Sequence, residues 1–171
     1  MTLAHRTTQI GDSHTVGISG VLIVELHLSG SMYDTILVAT DGSTDGNRAV
    51  THALEHAERH DSELHAMFVV DTDRYSEPVL STMELETTAV EDWGENELSE
   101  VVERGRSLGI EVTKRVCHGK PYVEIIEYAD EVDADLVVLG YHGHSHSEGT
   151  QIGSVTDRVV QNAGRPVLIA A

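Results

Sequence analysis

The sequence predicts an α/β fold: an open sheet of five parallel strands with helices on both faces, occupying residues 32–171. Three observations lead there. From Met32 onward, short apolar runs alternate with longer amphipathic stretches, the pattern of strands connected by helices. Several of the runs are apolar without interruption, as strands covered on both faces must be. Hydrophobic residues make up 40% of the chain but aromatics only 4%, so the core is built from Val, Ile, Leu and Ala, which suits a buried parallel sheet.

The elements follow in order. Residues 35–40 (TILVAT) form the first strand, ended by Asp41-Gly42-Ser43. A helix over about 45–60 carries Val50, Ala53, Leu54 and Ala57 as its apolar stripe. Residues 63–70 (ELHAMFVV) are the second strand. A polar loop from 71 to about 81 precedes a long acidic helix over 82–108, which Gly94 interrupts or not, and which Gly109 stops. Residues 110–118 are the third strand, and Pro121 opens a helix that ends near Val132. Residues 135–139 (DLVVL) are the fourth strand, 140–153 a loop without regular pattern, 154–162 the last helix, and 166–171 (PVLIAA) the fifth strand.

Residues 1–31 do not share this pattern. They read as an upstream extension, poorly ordered or supplying one extra edge strand at 21–28.

The charge balance excludes several partners. With 29 acidic residues against 11 basic ones the net charge is −18, which repels nucleic acid and anionic lipid. The only lysines are Lys114 and Lys120, a composition that suits solubility in concentrated salt and a halophile's cytoplasm. The apolar run 21–24 is too short to span a bilayer and lacks a signal-peptide layout, so a soluble, cytoplasmic protein is expected. Cys117 is the single cysteine, which rules out an intramolecular disulfide and a cysteine metal cluster; it reads as a buried, inert thiol.

Two segments carry chemistry. Gly140 and Gly143, then nine residues, then Gly153-Ser154, begin where a strand ends and finish where a helix starts. A helix N-terminus offers unpaired amides and a positive dipole end to a phosphate, and glycines let backbone approach closely or reach positive φ. The plain alternative is a surface loop with Ser154 as an N-cap. No Gly-Lys-Ser/Thr follows, so a Walker A loop is excluded. The second segment is Asp41, whose carboxylate could accept ribose hydroxyls or hold Mg²⁺ through water; its plain alternative is a turn residue before a helix cap.

Residues 36–43 (ILVATDGS), 135–143 (DLVVLGYHG) and 153–170 (GSVTDRVVQNAGRPVLIA) resemble the opening and the ending of universal stress proteins. The family's motif, Gly, two residues, Gly, nine residues, Gly-Ser/Thr, is matched in full. The resemblance covers 32–171. It implies strand order 3-2-1-4-5, an adenine nucleotide alpha hydrolase-like fold, and a ligand crevice where that order reverses. It further implies that Asp41 and Gly140 hold the ribose of ATP (or ADP or AMP), and that Ala39 and Val69 flank the adenine. The backbone of Gly143, Gly153, Ser154 and Val155 would then bind phosphates. It implies a homodimer through the last strand, which would cover an exposed sheet edge.

The loop departs from many ATP-binding relatives. His144 stands where they carry Arg or Lys, and Glu148 and Gly149 occupy a mid-loop position that is often basic. His142 and His144 are candidate phosphate-loop contacts, with His144 and His146 as cations conditional on pH and bound Mg²⁺ offsetting charge. A transition-metal site in the His142, His144, His146 alternation is the weaker reading, so no metal site is assigned. His52, His56 and His60 recur along the first helix opposite its apolar stripe, as a solvated face. No catalytic residues are assigned. A stress-response or energy-state binding module leads over a slow ATPase or nucleotidyl-transfer enzyme, because no Lys or Arg in the loop stabilises transferred charge. A nucleotide-free interaction protein is the third reading.

Overall fold

The computed structural model describes residues 16–18, 21–23, 32–75, 80–144 and 151–171. The chain divides into two compact units, Met1–Gly30 and Ser31–Ala171.

In the first unit, Val16–Ile18 pairs antiparallel with Val21–Ile23 as a separate two-stranded sheet. Of the span 21–28 where an extra strand is expected, 21–23 is this second strand, and the rest lies outside the described residues.

The second unit holds β1 (Thr35–Ala39), α1 (Thr44–His60), β2 (Glu63–Asp71), a 3₁₀ turn (Thr72–Tyr75), α2 (Leu80–Leu108), β3 (Val112–Gly119), α3 (Pro121–Glu131), β4 (Leu136–Gly140), α4 (Ser154–Asn162) and β5 (Val167–Ala170). The five strands are parallel and lie in the order β3-β2-β1-β4-β5, the order the family resemblance implies.

Strand alternation divides the core in two. Ile36, Val38, Leu64, Ala66, Phe68, Leu136 and Val138 point to the face covered by α1 and α2. Leu37, Met67, Val137 and Leu139 point to the face covered by α3 and α4, through Ile125, Tyr128 and Val159. Gly94 does not interrupt α2. A Cβ there would lie 2.5 Å from Cδ1 of Phe68, so the glycine lets the helix backbone settle on that ring. The foot of the sheet is tied by Asp135, whose Oδ2 accepts the amides of Asp34 (2.8 Å) and Thr35 (3.0 Å). Arg165 donates to the carbonyls of Ala129 (2.7 Å), Ala134 (2.6 Å) and Ala163 (3.1 Å) and pairs with Asp130, closing the C-terminal end of α3.

His52, His56 and His60 are not a uniformly solvated face. His52 is exposed, but His56 and His60 are half-buried, with parallel rings 6.0 Å apart, and Tyr33 packs edge-on to His60 at 5.7 Å. His56 Nδ1 is buried and unpaired among the described residues. Desolvation first, then Arg59, lowers its pKa from the usual 6.5.

Candidate functional site

The strand order reverses between β1 and β4, and a cleft of about 140 Å³ opens there, at the carboxyl ends of the strands. That is far more than one ordered water needs. Ala39, Asp41, Val69, Gly140, Gly143, Gly153, Ser154 and Val155 all line it, although they come from four separate parts of the chain. His142 lines it too; His144 does not.

Its walls are partly apolar. Val69 is half-buried where the surrounding run from Leu64 to Val70 is otherwise buried, and Ala39 is half-buried at the end of β1. With Ile125 and Leu139 they give the cleft an aliphatic side suited to a flat ring.

The local chain path explains how Asp41 is presented. Gly42 adopts φ of +73°, with its Cα against the ring of Trp93. Ser43 caps α1 by accepting the amide of Gly46 at 3.0 Å. Asp41 Oδ1 accepts the amide of Ser43 at 3.1 Å, and Oδ2 accepts the amide of His144 at 2.7 Å. Asp41 is thus the turn residue of the plain alternative as well as a cleft residue. An ionised carboxylate has about four acceptor sites, so these two bonds leave capacity for a ligand.

The glycines work by close approach. Gly140, Gly143 and Gly153 do not have positive φ. A Cβ on Gly140 would lie 2.6 Å from the carbonyl carbon of Asp45, and one on Gly143 would lie 2.6 Å from Asp41 Oδ2. Gly153, not Ser154, is the N-cap of α4, and it makes no side-chain cap. Ser154 stands exposed at the first helical position and is not the N-cap the sequence offered: the helix begins one residue too early for its hydroxyl to take that place. Among the described residues no side chain or backbone carbonyl bonds the amides of Ser154, Val155 and Thr156.

His142 is bound at every polar atom. Its amide and Nδ1 both reach Asp45 Oδ2, at 3.1 and 3.2 Å, and its Nε2 lies 2.9 Å from the carbonyl oxygen of Gln151. Ser43 Oγ donates to its carbonyl at 3.4 Å. The ring of His144 packs on Trp93, with centroids 5.2 Å apart. His146, Glu148 and Gly149 lie outside the described residues. No group of three His, Cys, Asp or Glu able to hold a metal ion occurs among the described residues.

Sequence reasoning missed Asp45 and Thr156. Asp45 lies 97 positions from the histidine it holds, and buried Thr156 donates to the Gly140 carbonyl at 2.8 Å. Nothing local in the sequence announces either contact. It also missed the pair buried beneath α3, where His65 Nδ1 and Tyr128 Oη lie 2.8 Å apart. Cys117 pairs in register with Val69, is half-buried, and has its thiol pKa pushed up to about 11, by burial first and Glu124 second. It stays a neutral thiol at physiological pH.

No helix among the described residues is long and apolar enough to cross a membrane. Residues 32–171 match the model of the universal stress protein family. A universal stress protein of Methanocaldococcus jannaschii is 33% identical over 140 residues, covering 81% of this chain and 82% of its own. The structure of universal stress protein UspA from Lactobacillus plantarum superposes with a TM-score of 0.76 at 27% identity, over 81% of this chain and 98% of that one. A universal stress protein solved in complex with cAMP superposes with a TM-score of 0.58 at 29% identity, over 81% of this chain and 96% of that one. With its sheet order, its cleft and these matches in agreement, the chain belongs to the universal stress protein family.

Proposed function

We propose that the cleft binds an adenine nucleotide, ATP in the working state, and that the protein is a binding module for stress or energy-state signalling. The observation that carries this is the convergence on one cleft of the Asp41 carboxylate and the amides of the first turn of α4, which bond nothing among the described residues. Asp41 has acceptor capacity for ribose hydroxyls. Ala39 and Val69 offer apolar sides to the base. Gly140 and Gly143 leave a cradle that any Cβ would fill. The relative solved with cAMP supports the ligand class.

Ser154, Val155 and Gly143 would hold the phosphates through backbone amides, with Gly153, whose own amide is taken by the Tyr141 carbonyl, letting the chain pass close by, and with Mg²⁺ offsetting the charge of Asp41 and Asp45. Binding is favoured over hydrolysis because the ring nitrogens of His142 are already engaged and the ring of His144 rests on Trp93. A homodimer through β5 fits the exposure of Ile169 on that edge strand and of Val160 on α4. The domain proposed to carry these functions is 32–171, with 1–31 an extension to it. The acidic surface suits a cytoplasm rich in salt.

Denaturing the purified protein and analysing the supernatant for released nucleotide tests the reading directly. Calorimetry with ATP, ADP, AMP and cAMP then ranks the ligands. ATP binding that disappears in Gly143→Val supports it; absence of binding to all four overturns it.

A further inference from the structure

One side chain of the segment between β4 and α4 reaches both α1 and the far end of that segment. His142 reaches Asp45 on α1 through Nδ1 at 3.2 Å and the Gln151 carbonyl, two residues before Gly153, through Nε2 at 2.9 Å. A carbonyl oxygen can only accept. Asp45 accepts as well, since its Oδ1 takes Arg48 Nη1 at 3.1 Å and its Oδ2 takes the His142 amide at 3.1 Å. The ring therefore faces an acceptor on each side. A neutral imidazole has one N–H and one lone pair, and satisfies only one of them; the imidazolium donates to both.

We propose that His142 is the positioning residue of this cleft: its doubly protonated ring clasps the loop to α1, and nucleotide affinity follows the state of that clasp. The inference rests on the nucleotide-binding reading above. It moves the pH sensitivity of the site from histidines that would touch phosphate to one that holds the binding loop in shape.

Several groups face the ring. Asp45 lies against it through Oδ2. Arg48 sits on the other oxygen of Asp45. The ring of Tyr141 packs edge-on at a centroid distance of 4.5 Å, and the Ser43 hydroxyl bonds the His142 carbonyl. Asp41 holds the amide of His144, two residues on, so the same loop is anchored to the start of α1 at both His142 and His144. Raising the pH removes one ring proton and leaves lone pair against lone pair at Asp45 or at Gln151. The hold on Asp45 or on Gln151 is then lost, and the amide of Gly143 is no longer fixed relative to those of Ser154 and Val155.

The test combines imidazole ¹⁵N spectra of the full-length protein without ligand, amide exchange at Gly143, His144 and Gly153, and ATP titrations of wild type and His142→Gln. All are recorded between about pH 5.5 and about pH 8.5. The expected result is a His142 ring protonated at both nitrogens at the acid end, with exchange of the loop amides accelerating as it titrates. ATP affinity falls on the order of tenfold over that range in wild type, as loss of a charge-assisted bond implies. His142→Gln binds at the weak, alkaline level throughout. A ring with a single N–H while the loop amides remain equally protected overturns the clasp, and this needs no variant to fold. A His142→Gln profile parallel to wild type overturns it too. If the ¹⁵N and exchange signatures hold but no nucleotide binds at any pH, the clasp stands and the nucleotide reading fails.

Discussion

The carboxylate of Asp41 accepts the backbone amide of His144 at 2.7 Å, joining the end of the first strand to a loop 103 positions away. The ring of that same histidine rests on Trp93, the only tryptophan in the chain. One residue therefore ties the proposed ribose acceptor to a spectroscopic reporter.

Asp41→Ala removes the acceptor for His144 and for Ser43 together. Nucleotide affinity should fall at least about tenfold, the scale of a lost hydrogen bond to a charged group. Trp93 emission should shift in the unliganded protein as His144 leaves the ring. Calorimetry and fluorescence check the two outcomes separately, and an unchanged emission spectrum would count against the coupling.

Gly140→Ala and Gly143→Ala should separate stability from binding. The added methyl at Gly140 meets the backbone of α1, which cannot turn aside, and overpacking of this kind costs about 1–3 kcal/mol. At Gly143 it meets a side-chain carboxylate oxygen, which can rotate. Thermal melting should drop clearly for the first variant and little for the second, while nucleotide binding suffers in both.

Gly94→Ala reverses the usual sign for a helix. In an exposed helix interior the change stabilises by roughly 1 kcal/mol. Here the new Cβ lies 2.5 Å from the Phe68 ring, so α2 must lift from the sheet. Urea unfolding should show a net loss of about 1–2 kcal/mol; a gain would mean that α2 packs elsewhere.

His56→Leu should raise stability, because a buried unpaired nitrogen is replaced by an apolar group. The sign of its pH dependence follows from its lowered pKa. Below the unfolded value of 6.5 the unfolded chain binds the proton more readily, so stability falls as the pH drops through that range. Melting curves between about pH 5 and about pH 7 should show a shallower acid slope in the variant than in wild type.

Much of this was legible in the sequence. Continuous apolar runs such as 35–40 and 135–139 mark β1 and β4 to within a residue or two, because a strand covered on both faces admits little else. The glycine spacing marked the cleft, and the eight residues assigned to it do meet there. What the sequence hid was why those residues are what they are. Gly140 is required by Asp45, Gly94 by Phe68 and Gly42 in part by Trp93, all partners supplied by other elements. Propensity alone makes Gly94 a breaker; packing makes it a seat. Likewise the histidine spacing on α1 shows a common face but not that Tyr33 closes over part of it.

The amide of Gly153 donates to the carbonyl of Tyr141 at 2.8 Å, and the amide of Tyr141 donates to Ala170 at 2.7 Å. The segment between β4 and α4 is therefore closed at its neck and tied to the last strand by main-chain atoms that any residue supplies. Lengthening a segment closed in this way adds closure entropy only slowly. Evolution can rewrite the residues between the two ends without disturbing the main-chain tie that holds them.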